Sequence, residues 1–198
     1  MSKRDEKKQE FMSGEARYKG PNRIIVISFV LVALVVVGIV MQLTKDDTVV
    51  PRRWEGGTYN IGETVDYKGK TVSMTNIKLE IADGKYSIPL DVIKEAKFVY
   101  APTEYQYRNG NKAVAALITP AGRLVVAIAM CEPCRSERFH IEGNILVCDT
   151  CGTRWQLNDL QGLSGGCVPY PPEEMPYEVK NGMVVFDPAL VDEWEPRI

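Results

Sequence analysis

Four of the five cysteines form two matched pairs, Cys131 with Cys134 and Cys148 with Cys151, each with two intervening residues. Thirteen residues separate the pairs, and Gly152 follows the second. A two-residue gap lets both sulfurs of a pair point inward from one tight turn, and glycine suits the sharp bend that follows. Two such turns facing each other supply four thiolates in a roughly tetrahedral array, which suits zinc or an iron–sulfur centre. The pattern predicts a metal site without specifying the metal.

The remaining cysteine, Cys167, follows Gly165 and Gly166 in a loop. Two glycines let backbone N–H groups approach a metal centre, and donors aimed at sulfur tune an iron–sulfur potential. Cys167 is therefore predicted to contact or ligate the centre, and a small buried loop residue is the alternative interpretation. An odd number of cysteines argues against full disulfide pairing. Disulfides or a redox dithiol remain the alternative to a metal site.

A second feature is an apolar run of twenty residues, 24–43, that carries no charge. A helix of this length spans about 30 Å, the thickness of the hydrocarbon core of a bilayer. A cleaved signal peptide has an apolar core of about 7–15 residues and ends in a small-residue cleavage site, which does not fit this run. The sequence therefore predicts a single N-terminal transmembrane helix.

The charges that flank this run predict its orientation. Residues 4–23 carry six Lys or Arg, and residues 44–63 carry three. Because cytoplasmic flanks are richer in basic residues, we expect the N-terminus in the cytoplasm and the C-terminal part outside it. The predicted organisation is a disordered tail over 1–23, the anchor over 24–43, a spacer over 44–57 and one exported domain over 58–198.

The predicted exported domain is rich in strand and turn signals. Apolar runs at 113–119 and 123–129 flank a Pro-Ala-Gly turn, and the second run leads into the first cysteine pair. A further hairpin around residues 142–144 leads into the second pair, and Asn181-Gly182 predicts a third hairpin. An alternating run over 71–81 predicts one more strand. The fold class is therefore mainly β, with one compact domain that carries two cysteine knuckles, which are the tight turns that hold Cys131 with Cys134 and Cys148 with Cys151.

Further expectations concern residues outside the set of cysteines. Trp155 follows the second pair, and this segment resembles that of Rieske proteins, in which an aromatic residue also follows the second ligand pair. Rieske proteins, however, use Cys and His in each pair, whereas all four positions here are Cys. Rieske-like or rubredoxin-like ligand loops fit the pattern, and Trp155 is expected to pack under the knuckle, with a role in electron transfer as the alternative. His140 is expected to be an exposed strand residue, and Glu173 and Glu174 to be solvated charges. Residues 24–198 carry 17 Lys or Arg and 22 Asp or Glu, which argues against nucleic acid as a partner.

The order and spacing of these features resemble the FtrD-like membrane iron–sulfur proteins over residues 105–186. The resemblance is carried by the strand into the first pair, the second pair, the Gly-Gly-Cys167 segment before Pro169, and the Asn181-Gly182 hairpin. Two departures stand out: Ala129-Met130 replaces an acidic residue before the first pair, and Val168-Pro169-Tyr170-Pro171 replaces Asn-Pro-Ile-Pro. A single predicted anchor also replaces the many-helix extension of some members.

The resemblance implies an iron–sulfur cluster of unspecified type and an electron-transfer role. Some members of the family are associated with bacterial iron-uptake permeases, so the implied partners are the lipid bilayer and a membrane redox protein or iron permease. The implied location is the bacterial cytoplasmic membrane. Two other functions remain open from the residues themselves: a binding module with a structural zinc, and a thiol redox or metal-delivery protein.

Overall fold

The structure is a computed structural model that describes residues 2–12, 22–43, 50–107 and 110–198. It consists of two compact units, Met1–Asp47 and Thr48–Ile198. The first unit contains helices α1 (Lys3–Met12) and α2 (Arg23–Leu43). Side chains of α2 are described for residues 23–37, and among the described residues no helix is both long and apolar enough to cross a membrane.

The predicted tail and spacer fall only partly within the described residues. Helix α1 lies within residues 1–23, for which the sequence predicted a disordered tail. Residues 13–21 of that tail and residues 44–49 of the spacer lie outside the described part of the chain.

The second unit, called the β unit below, is mainly β, as the sequence predicted. Its described residues form two short helices, α3 (Leu90–Ala96) and α4 (Ala189–Asp192). Its strands are β1 (Thr71–Ser73), β2 (Thr75–Asn76), β3 (Glu80–Ala82), β4 (Lys85–Pro89), β5 (Phe98–Tyr107), β6 (Gly110–Ile118), β7 (Leu124–Ile128), β8 (Phe139–Glu142), β9 (Ile145–Cys148), β10 (Arg154–Gln156), β11 (Gly162–Ser164), β12 (Glu178–Lys180) and β13 (Met183–Phe186).

These strands form three sheets. The central sheet has the order β2-β5-β6-β7, a second has the order β12-β13-β4-β3, and a five-stranded third has the order β1-β8-β9-β10-β11. Neighbouring strands run antiparallel except for β2 and β5, which are parallel. The three predicted hairpins are confirmed as β6–β7, β8–β9 and β12–β13.

The strand predicted over residues 71–81 is wrong as a single element. Its residues are divided among β1, β2 and β3, and each of these strands belongs to a different sheet. One alternating pattern therefore serves three short edge strands, because the chain crosses from sheet to sheet over this segment. Periodicity reports which residues face a core and not which sheet supplies that core.

The two faces of the central sheet pack into two different cores. Successive side chains of a strand point to opposite faces, so the even-numbered residues of β6 and β7 enter one core and the odd-numbered residues enter the other. The alternation continues past the end of β7, where Met130 joins the first of these cores and Cys131 the second. Strand parity thus places Cys131 in the core that also holds Cys148, Trp155 and Cys167.

Candidate metal centre

The four paired cysteines converge on one point. The sulfurs of Cys131, Cys134, Cys148 and Cys151 all lie within 4.8 Å of one another. The Sγ–Sγ distance is 3.9 Å between Cys131 and Cys151, and 3.6 Å between Cys134 and Cys148. All five cysteines are free thiols, so the disulfide interpretation is not supported. Four clustered sulfur donors suit a thiophilic metal such as iron or zinc.

The two knuckles have matching backbone geometry. In the first, the N–H of Arg135 donates to the carbonyl of Cys131 at 2.6 Å, and in the second the N–H of Gly152 donates to the carbonyl of Cys148 at 2.9 Å. Both Arg135 and Gly152 have positive φ, 59° and 67°. The bend predicted from Gly152 is therefore present in both turns, and in the first an arginine adopts the left-handed conformation that glycine accepts more readily.

Each knuckle is closed by one more backbone hydrogen bond. The N–H of Cys131 donates to the carbonyl of Ser136 at 2.8 Å, and the N–H of Cys148 donates to that of Thr153 at 3.0 Å. Ser136 and Thr153 occupy equivalent positions, two residues after the second cysteine of each pair. This repeated hydroxyl residue is a sequence signal that the cysteine spacing alone does not reveal.

Burial differs among the five thiols. Cys131, Cys148 and Cys167 are buried, Cys134 is half-buried and Cys151 is exposed. The first cysteine of each pair is anchored in the core, where Phe139 and Trp155 stack edge to face with a centroid distance of 6.2 Å. The second cysteine of each pair points toward the surface. The site therefore has a buried side and an open side.

Thr153 links the second knuckle to the loop that carries Cys167. Its hydroxyl oxygen lies 3.2 Å from Cys151 Sγ and accepts a hydrogen bond from the backbone N–H of Cys167 at 3.2 Å. Cys167 Sγ in turn lies 3.7 Å from Cys151 Sγ. The sulfur of Cys167 therefore lies beside one member of the group of four and is not itself a member.

The Gly-Gly segment packs closely against Thr153 of the second knuckle. Gly165 has a φ of 113°, and a Cβ built on it would lie 2.5 Å from Thr153 Oγ1 and 2.7 Å from Thr153 Cα. A Cβ on Gly166 would meet no atom within 4 Å. Only the first of the two glycines is therefore required for the loop to pack on the knuckle.

The thiols influence one another's protonation. A hydrogen bond with the Cys148 thiol, together with burial, raises the pKa of Cys131, and the same bond lowers the pKa of Cys148. Burial raises the pKa of Cys134. Burial opposes ionisation of Cys151, but hydrogen bonds from the Thr153 hydroxyl and backbone hold the pKa of Cys151 below its usual value. Both thiols of the second pair thus favour the thiolate, which is the form that binds metal, whereas both thiols of the first pair favour the protonated form.

A buried ion pair supports the first knuckle. Glu132, between Cys131 and Cys134, is 1% exposed and accepts a hydrogen bond from Arg197 Nε at 2.6 Å. Nη2 of Arg197 also donates to the carbonyl of Pro171 at 2.9 Å, in the segment that follows Cys167. Arg197 therefore connects the first knuckle with the Cys167 loop. No local sequence pattern predicts this connection.

The prediction that Glu173 and Glu174 are solvated is wrong. They are 1% and 2% exposed. Trp194 Nε1 donates to Glu173 at 2.7 Å, and Arg52 and Arg123 donate to Glu174 at 3.0 and 2.6 Å. Buried carboxylates require such partners, and here the partners come from distant parts of the chain.

Two other sequence candidates lie outside the ligand group. Trp155 is fully buried and its Nε1 donates to the carbonyl of Val168 at 3.2 Å, which matches the packing role expected for it. His140 lies on β8, half-buried, with Nδ1 2.6 Å from Asp149 Oδ1. Its strand placement is confirmed, its predicted exposure is wrong because the ring is half-buried, and its carboxylate partner was not predicted.

Comparison with known proteins identifies the family. The family model of the FtrD-like proteins, described as membrane iron–sulfur containing protein FtrD-like, matches residues 93–198, more than half of the chain. This match includes the five cysteines and extends the resemblance seen over residues 105–186. No curated protein and no solved structure matches the chain. With its cysteine knuckles in place and the family model matched over residues 93–198, the chain belongs to the FtrD-like family.

Proposed function

We propose that this protein is a membrane-anchored electron carrier in which Cys131, Cys134, Cys148 and Cys151 bind iron. The observation that carries the proposal is the convergence of four sulfurs within 4.8 Å, two of them buried in the core. Thiolate donors select iron and zinc over harder cations, and of these two iron changes its oxidation state. The family description, which includes both iron–sulfur and membrane, supports the same choice.

The uneven burial of the thiols suits electron transfer to a partner protein. Cys131 and Cys148 lie in the core, whereas Cys151 is exposed and Cys134 is half-buried. The buried side limits solvent access, which together with hydrogen bonds to sulfur sets a reduction potential. The open side brings a metal-bound sulfur to the surface, where a redox partner can approach closely.

The membrane attachment is proposed from the sequence and from the family. Residues 24–43 contain no charged side chain, and basic residues are more numerous before this run than after it. We expect a single pass in a bacterial cytoplasmic membrane with the metal centre on the outer side. The proposed partners are the lipid bilayer and a membrane redox protein or iron permease, so a role in iron uptake is part of the proposal.

The metal content and visible spectrum of the full-length protein test this function. The protein is purified in detergent without oxygen, and its iron, zinc and absorbance are measured before and after dithionite. Bound iron and a visible spectrum that bleaches on reduction and returns on oxidation support the electron carrier. A colourless protein that contains only zinc contradicts it.

Zinc is the second candidate because four clustered thiolates with two members in the core also describe a structural site. Such a site is complete with four thiolates and stabilises the fold by roughly 10–16 kcal/mol.

The third candidate, a thiol redox or metal-delivery protein, is favoured by the 3.7 Å distance between the Cys151 and Cys167 sulfurs. Reactivity of these thiols in the metal-free protein, with no metal bound after purification, would support that function instead.

The proposed orientation has its own test. A membrane-impermeant amine reagent is added to intact cells that express the full chain, and labelling of the segment after residue 44 is measured. Labelling in intact cells supports an exported domain. Labelling that occurs only after lysis places this segment in the cytoplasm and contradicts the orientation.

A further inference from the structure

We infer that the four thiolates bind one metal ion, and not a cluster of irons bridged by sulfide. This rests on the proposed function only in assuming that these thiolates bind metal. A regular tetrahedron with a metal–sulfur distance of about 2.3 Å has sulfur–sulfur edges of about 3.8 Å. The observed Sγ–Sγ distances of 3.9 Å and 3.6 Å, between residues of different knuckles, match that edge. The sulfurs are thus spaced for a single ion at their centre.

A two-iron cluster requires a wider arrangement. Two tetrahedra that share an edge of bridging sulfides, with metal–sulfur distances of about 2.3 Å, hold thiolates on different irons about 5.3–6.5 Å apart. However the four sulfurs are divided into two pairs, four of the six distances fall in that range. All six lie within 4.8 Å here. A cubane cluster needs still larger spacing, because each thiolate then binds a different iron.

Core packing and backbone hydrogen bonds of both knuckles hold the sulfurs at this spacing. Cys131 and Cys148 are 0% and 1% exposed, so neither can move outward without disturbing a packed core. Each knuckle is closed by two backbone hydrogen bonds, and Cys148 is also paired with Phe139 in the β8–β9 hairpin. Widening the site would therefore require one hairpin to move away from the end of β7.

The fifth cysteine has a defined place in this arrangement. Four thiolates complete a tetrahedral ion, so Cys167 is left outside the coordination shell although its sulfur lies 3.7 Å from that of Cys151. Its backbone N–H donates a hydrogen bond to the Thr153 hydroxyl, and this bond fixes the loop. Cys167 is then a neighbour of the centre, and its replacement should not change the number of ions bound.

Stoichiometry tests the inference. Full-length protein is purified in detergent without oxygen, and iron, zinc and acid-labile sulfide are measured per chain. Metal-free protein is then titrated with Fe²⁺ alone, with Fe²⁺ plus sulfide, and with Co²⁺ as a spectroscopic probe of tetrahedral thiolate ligation. We expect one ion per chain, no sulfide, and saturation at one equivalent of Fe²⁺ or Co²⁺ in both the natural chain and the Cys167→Ser variant.

Two or more irons per chain with a matching amount of sulfide would overturn the inference, as would a requirement for sulfide in reconstitution. Absence of bound metal under all of these conditions would overturn both the inference and the proposed function. One zinc, or one iron that is not reduced by dithionite, would leave the single-ion inference standing and remove the electron-transfer proposal. The two failures are therefore distinguishable in one set of measurements.

Discussion

Arg197 and Glu132 form a buried ion pair at the back of the first cysteine knuckle. The side chain of Arg197 is 7% exposed and that of Glu132 is fully buried. Glu132 accepts from both the side chain and the backbone N–H of Arg197. Because Glu132 stands between Cys131 and Cys134, the segment after α4 fixes the turn that presents both sulfurs.

Replacement of Arg197 with alanine should destabilise the β unit and weaken metal binding. Removing one partner of a buried ion pair leaves the other charge uncompensated, which costs about 3–5 kcal/mol. Urea unfolding of the full-length protein in detergent measures the loss in free energy, and the rate of metal release to a chelator measures the effect on the site. The stability and the metal-release rate of Arg197→Lys should lie between those of the natural protein and those of Arg197→Ala. Lysine keeps the positive charge but loses the two-pronged contact of the guanidinium.

The matched control is Lys85→Ala. Lys85 pairs with Asp187, and both side chains are close to half exposed, 46% and 48%. Solvent screens such a pair, so its loss should change the unfolding free energy little and metal release not at all. Equal effects of the Arg197 and Lys85 variants would show that the Glu132 contact does not support the knuckle.

The Gly165-Gly166 step gives a prediction with an internal control. Gly165→Ala places a Cβ against the backbone of Thr153 and puts alanine at a φ of 113°. Strain of this kind costs of order 1–3 kcal/mol, and relief requires the Cys167 loop to move off the knuckle. Gly166→Ala adds a methyl group where no atom lies within 4 Å, so it should be close to neutral. Unfolding by urea and metal release to a chelator compare the two variants, and identical behaviour would contradict the contact with Thr153.

The Cys148→Ser and Cys167→Ser variants separate a ligand from a neighbour. Loss of Cys148 removes one of the four clustered sulfurs, so bound metal should fall from one ion per chain to none under chelator challenge, with a marked loss of stability. Cys167→Ser should retain its metal. Elemental analysis and thermal unfolding measure both effects. If the serine variant at position 148 keeps its metal and the variant at 167 loses it, the ligand set is different from the one proposed.

The parts of this protein that could be predicted from sequence are those with local causes. The i, i+3 cysteine spacing produces the knuckles, and the turn dipeptides produce the hairpins that bring them together. The parity of β7 carries Cys131 into the core. Each of these depends on residues a few positions apart, so a reading of periodicity and spacing can find them.

The parts that could not be predicted depend on distant segments. Glu174 is buried because Arg52, 122 positions away, and Arg123, 51 positions away, donate to it. Glu132 and Arg197 are 65 positions apart. Residues 71–81 split among three sheets whose arrangement is set by other strands. From sequence alone a charged residue is expected to be solvated, because its burial depends on a partner that is distant along the chain. No local sequence pattern predicts which residue that partner is.

Thr153 provides the test of how the protein tunes the centre. A metal-bound Cys151 thiolate can only accept a hydrogen bond, so the Thr153 hydroxyl at 3.2 Å is placed to donate to it. Such a bond stabilises the more negative, reduced state of the centre and so raises its reduction potential. Thr153→Val keeps the shape and removes the donor, and it also leaves the N–H of Cys167 without its acceptor, a cost of about 1–3 kcal/mol. We expect a lower potential for Thr153→Val and a nearly unchanged one for Thr153→Ser, measured by redox titration of the visible spectrum. An unchanged potential in Thr153→Val, with the protein folded and loaded, would show that the hydroxyl holds the Cys167 loop without acting on the metal.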